Sequence, residues 1–187
     1  MTTILICDIT NLDYKKHLHV LSKYHYDKIA LFHNDIDKKL MAGCELLLIK
    51  YLENEVGNID RLNISLDEKK PFIEKCEYKF SFSHSNNYSC CAVSKHNVGV
   101  DIEMLRDLSC RFKKRYNLHS YSKEQVLEKW NQFESYYKLV NNNISFSEFL
   151  NIDHGFIRTY KYKNYYLSIA LDEEDIIEIK EINCEKI

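Results

Sequence analysis

Apolar positions along this chain switch between a spacing near 3.6 and a spacing of two, and the switches mark its elements. Ile4-Leu5-Ile6-Cys7 reads as an opening strand, and residues 13–24 carry a helical pattern. A stronger helix is predicted from Asp35 to Glu55 on Ile36, Leu40, Cys44, Leu47, Tyr51 and Leu52, with Gly57 as its stop. Alternation then takes over in Leu62, Ile64 and Leu66, in Tyr78, Phe80 and Phe82, and in Ser89–Lys95; a His96-Asn97 turn leads into Val98–Glu103. After a polar, basic connection the order repeats. A capping box of Ser122 and Gln125 opens a helix predicted to reach about Val140, and strands are expected at Phe156–Tyr162, Tyr165–Leu171 and Ile176–Ile182, with Lys163-Asn164 as a hairpin turn. A helix followed by antiparallel strands, repeated without sequence identity, predicts an α+β fold. Its two similar halves, residues 1–97 and 98–187, would pack as a pseudo-dimer with any shared site at their interface.

The repeat places chemistry on particular faces. Asp101 and Glu103 are two apart in a strand, so both carboxylates leave one face while Val100 and Ile102 leave the other, and the acids can share one cation. Glu134 and Lys138 are four apart on a helix whose apolar line is Val126, Trp130, Phe133 and Tyr137, which stacks acid and base on one side. Taken singly, these are an ordinary helix ion pair, a solvated strand face and, for His84, a hydrogen-bonded structural histidine. Together and in order, Ser83-His84-Ser85, then the acid pair, then Glu134 and Lys138 point to a metal-and-phosphate site.

Composition narrows the setting. With 187 residues, 45% of them hydrophobic, the chain can bury a real core, and a net charge of −2 argues against nucleic-acid binding through a basic surface field. Cysteines at positions 7, 44, 76, 90, 91, 110 and 184 form no C-x-x-C pair and are odd in number, which suits reduced thiols in a cytoplasm better than a zinc knuckle or a disulfide framework. The opening strand is interrupted by Asp8 and lacks a basic flank, so it does not read as a signal peptide, and no apolar run approaches membrane-spanning length.

Ser83-His84-Ser85, Gly99-Val-Asp-Ile-Glu103 and the Trp130, Glu134, Lys138 spacing, together with Lys70-Pro71 and Gly43, resemble the 4′-phosphopantetheinyl transferases of the longer, surfactin-synthetase-activating type. The resemblance runs from about Lys23 to Leu171. It implies a monomer of two similar α+β halves that takes coenzyme A and an acyl or peptidyl carrier protein, moves phosphopantetheine onto a carrier serine with Mg²⁺, and releases adenosine 3′,5′-bisphosphate. By the same resemblance Asp101, Glu103 and Glu134 hold the metal, and Glu134 or a metal-bound water is the base. Lys138 and His84 contact phosphate, and Ser83, Lys70, Lys28 and Lys39 belong to the coenzyme A site. The chain departs from the family where Ala30 falls near a usual arginine, Phe133 replaces a lysine, and Asn141-Asn142-Asn143 replaces a glycine-containing turn. The basic run Arg111–Arg115 reads either as a solvated helix end or as a docking face for the acidic helix of a carrier. A catalytically weak relative that binds coenzyme A or a carrier protein is the alternative to an active transferase. Neither a nucleic-acid nor a membrane partner is expected, and the carrier's pathway stays open.

Overall fold

A computed structural model of the chain describes residues 1–57, 61–67, 70–141 and 143–187; Asn142 of the asparagine run, where a family turn was expected, lies outside them. The first strand, β1 (Thr2–Asp8), is buried along almost its whole length because it sits inside a sheet and is covered on both faces. That sheet has the order β4-β5-β1-β9, with β4 at Lys79–Ser85, β5 at Tyr88–Ser94 and β9 at Ile177–Glu181. β4, β5 and β1 are antiparallel neighbours, whereas β9 runs parallel to β1 with Ile4 opposite Ile179. The last strand therefore crosses back from the C-terminal part of the chain into the first sheet.

α2 (Asp35–Val56) covers this sheet, and α1 (Lys23–Leu31) packs against α2. α2 ends as its sequence predicts, at Gly57 with φ of 88°. The expected helix over 13–24 is not there: only a 3₁₀ turn forms at Tyr14–His17, and the helix begins at Lys23 behind Ser22, whose Oγ accepts from the His25 N–H at 3.3 Å. A small hairpin of β2 (Ile64–Asp67) and β3 (Lys70–Ile73) lies outside both main sheets. The second sheet is β6-β8-β7, formed by Val98–Met104, Tyr165–Leu171 and Phe156–Tyr162. The long helix α4 (Lys123–Leu139) packs against β6 and β8, opened by the expected Ser122/Gln125 capping box. Two short helices, α3 (Cys110–Arg115) and α5 (Phe146–Phe149), contribute Phe112 and Phe146 to the aromatic cluster around Trp130 and Phe133.

The sheets meet where β4 lies beside β6, and side chains make the junction. Ser81, Ser83 and Ser85 point from alternate positions of β4 and accept from the backbone N–H groups of Val100, Ile102 and Met104 at 3.1, 3.2 and 3.0 Å. Ile4, Ile6 and Cys90 of the first sheet share one buried cluster with Val100, Ile102 and Leu167 of the second. The core thus runs through the junction, and a site at its edge stands on two rigid sheets.

Candidate functional site at the junction of β6 and α4

Gly99 sets how near α4 comes to β6. A Cβ there would lie 2.0 Å from the Ser135 carbonyl oxygen and 2.6 Å from the Leu139 nitrogen, so only glycine admits the helix backbone at this distance. The close crossing brings Lys138 to the strand. Its Nζ donates to the Val100 carbonyl at 2.9 Å and to Asp101 Oδ1 at 2.8 Å. Lys138 is therefore tied across the junction to Asp101, and the helix ion pair with Glu134 that the spacing alone suggests is not what engages it. Asp101 is 6% exposed and held on every side: Ser83 Oγ also donates to Oδ1 at 2.7 Å, and Asn131 Nδ2 donates to Oδ2 at 2.7 Å. A carboxylate oxygen has two lone pairs, so Oδ2 keeps one available.

The other two acids complete an electronegative corner. Glu103 is half-buried beside Arg106, whose Nη2 donates to it at 3.2 Å; lost hydration and then the Asp101 charge push its carboxyl above the usual range. Glu134 is pushed up to about 7, first by lost hydration and then by Asp101, with Glu103 adding to the effect and Lys138 opposing it. Among the described residues no group of three His, Cys, Asp or Glu side chains is arranged to hold a metal ion by itself. The donor chemistry nevertheless fits a hard cation. Three carboxylates that repel one another, one with a spare lone pair, suit an ion that takes a few carboxylates and completes its shell with water and phosphate oxygens.

A cleft of about 370 Å³ opens beside this corner, lined by Lys28, Lys70, Ser83, His84, Asp101 and Lys138 among others. A second cavity of about 320 Å³ under the β2–β3 hairpin shares Lys70, Pro71 and Phe80 with it. Lys70 is half-buried between them, and lost hydration lowers its ammonium pKa. His84 is open to solvent at the cleft mouth, yet enough protein crowds its ring that lost hydration, followed by the Lys138 charge, lowers its pKa. At neutral pH it is an uncharged imidazole with one N–H to donate. Lys39 does not line the cleft: its Nζ donates to the Thr10 carbonyl at 3.1 Å. The Ser83 hydroxyl is taken up by Asp101 and Ile102. Asn141 adopts a left-handed φ of 54°, a conformation that asparagine tolerates.

Two features of the site escape a reading of single motifs. Asn131, fully buried and bonded to Asp101, is one polar residue among many on an amphipathic helix, and its only signal is that it follows Trp130 on the apolar side. The serine at every second position of Phe80–Ser85 was the visible sign of a junction between sheets.

No protein-family model matches the chain. The 4′-phosphopantetheinyl transferase gsp of Aneurinibacillus migulanus is 31% identical to it over 157 residues, covering 75% of this chain and 65% of that protein. The chain spans 65% of the length of that relative.

Proposed function

We propose that the chain transfers the 4′-phosphopantetheine group of coenzyme A to a serine of an acyl or peptidyl carrier protein. The carrier serine oxygen attacks the phosphorus nearer the pantetheine, a new P–O bond forms, and the bond to the bridging pyrophosphate oxygen breaks. Adenosine 3′,5′-bisphosphate leaves with the bond's electron pair. The serine proton passes to Glu134, the carboxylate that α4 carries to the Asp101 corner. Lys138 lies in reach of the cleft as a point charge for phosphate, and His84 offers a neutral donor at its mouth. Asp101, Glu103 and Glu134 would hold Mg²⁺, which when bound supplies positive charge for the pyrophosphate. The two helix-on-sheet units read as the halves of a pseudo-dimer, residues 1–97 and 98–187 except that β9 completes the first sheet, with the site between them.

One observation carries the reading: Gly99 lets α4 touch β6, which brings Lys138 of the helix onto Asp101 of the strand at the cleft wall, with Glu134 and Glu103 near enough to feel the Asp101 charge, from two motifs about thirty residues apart. Exposed Arg111, Lys114 and Arg115 on α3, anchored from below by Phe112, fit the docking of an acidic carrier helix. The test is release of adenosine 3′,5′-bisphosphate from coenzyme A with and without apo-carrier. Release that requires carrier, stops with EDTA and returns with Mg²⁺ supports the reading, and binding of coenzyme A with no release under any condition overturns it in favour of a binding protein.

A further inference from the structure

Away from the acidic corner, the cleft wall contains a buried polar network that the transfer chemistry does not use. Glu45, in the middle of α2, is 0% exposed, and His25, in the first turn of α1, is 1% exposed. Glu45 accepts from the Ser22 backbone N–H at 2.7 Å, from Ser22 Oγ at 3.0 Å, and faces His25 Nδ1 at 2.5 Å. A carboxylate can only accept, so Nδ1 carries the proton. The ring packs edge-on against Phe82 at 5.4 Å, and His25 itself lines the cleft beside Lys28.

We propose that this Ser22–His25–Glu45 network is a positioning device for the phosphate-binding end of the cleft, with His25 as the positioning residue that holds Lys28 in place. This rests on the transferase reading, with coenzyme A as the ligand. α1 has nine residues, too few to be stable by itself, so contacts at its first turn decide where it lies. An apolar pair of the same volume would stabilise α1 as well as a buried His–Glu pair does, but would leave its rotation and register loosely defined; hydrogen bonds with directions specify one placement. Lys28 is three residues beyond His25 and so on the same side of α1. Its Nζ donates to the Tyr24 hydroxyl and sits 4.3 Å from the Tyr24 ring centre, so the lysine is braced by the turn that the network fixes.

Calorimetric titration of coenzyme A into the full chain tests this with His25→Leu, His25→Asn, Lys28→Ala and the His25→Leu/Lys28→Ala double variant. His25→Leu should weaken binding about tenfold, His25→Asn should recover most of the loss by restoring a donor near Nδ1, and the double variant should bind within about twofold of Lys28→Ala. In turnover, KM for coenzyme A should rise in His25→Leu while KM for the carrier holds. If His25→Leu does not fold, Glu45→Gln, of the same size and still able to accept from the Ser22 N–H, should show the same loss. Parent-like affinity in these variants, or losses that multiply in the double variant, overturns the positioning role. A parent that binds no coenzyme A overturns the transferase reading instead.

Discussion

Replacing Gly99 with alanine adds one methyl group at the point where α4 touches β6. The new Cβ would stand 2.0 Å from the Ser135 oxygen, well inside the 3.0 Å that such contacts essentially never breach, so something must move by about 1 Å. The obstructing atoms are helix backbone and cannot rotate away. α4 must therefore retreat as a unit, carrying Glu134 and Lys138 away from Asp101 and stretching the 2.8 Å ion pair. Overpacking of this kind costs roughly 1–3 kcal/mol, which lowers Tm by about 2–12 °C in a chain of this size. The catalytic loss should be larger than that figure suggests, because a misplacement of about 1 Å can cost on the order of 100-fold in rate. Gly43→Ala is the comparison: its Cβ would meet Ser89 Oγ and Ile9 Cγ2 at 2.6 and 2.8 Å, atoms of buried side chains and not the backbone of α4, so it should cost stability without moving α4 off β6. Thermal melts and carrier-modification rates for both variants decide the matter. Parent-like turnover in Gly99→Ala would mean that the β6–α4 approach does not set the site.

The pH dependence of stability follows from Glu134. Its folded pKa, about 7, lies above the ordinary carboxyl value of 4.5, so the folded state binds the extra proton between those values and stability falls as pH rises through that window. In metal-free buffer Glu134→Gln should therefore raise Tm above the parent at pH 8 and match it below about pH 4.5; an equal difference at both pH values would refute the shift. Asn131→Ala removes the donor to Asp101 Oδ2 and should lower stability by about 1–3 kcal/mol and transfer rate by at least tenfold, checked by denaturant melts and by initial rates. Arg111→Glu with Lys114→Glu should raise KM for the carrier at low salt and flatten its salt dependence, while coenzyme A affinity stays put; unchanged carrier kinetics would move the docking face elsewhere.

What the chain's pattern reveals and what it conceals divide along the range of the interactions. α2, α4, β7 and β8 are legible because each is specified within itself: a long apolar period closed by Gly57, a capping box at Ser122 and Gln125, and a Lys163 turn with φ of 52° between two alternating runs. The segment 13–24 misleads because its helical spacing competes with Ser22, which caps a later helix while Glu45, 23 residues away, takes its N–H and hydroxyl. β9 alternates like an antiparallel strand, and nothing local tells it to run parallel to β1 across 175 residues of chain. At the site, the spacing of Asp101 and Glu103 on one face is visible in two residues, whereas the embrace of Asp101 by Ser83, Asn131 and Lys138 exists only once two sheets and a helix have met. Lys39, early in α2, finds the Thr10 carbonyl 29 residues away, a partner that its place in the helix pattern does not reveal.

In the proposed function, β6 and α4 together form a phosphopantetheine-transfer site with Glu134 as its base. Intact mass spectrometry of an apo-carrier incubated with coenzyme A and Mg²⁺ tests it most directly, comparing the parent chain with Glu134→Gln. The account predicts that the parent adds one phosphopantetheine per carrier and that Glu134→Gln, though folded and at least as stable at pH 8, adds it at least 100-fold more slowly. Carrier left unmodified by the parent across acyl and peptidyl carriers, or modified equally fast by Glu134→Gln, would contradict it.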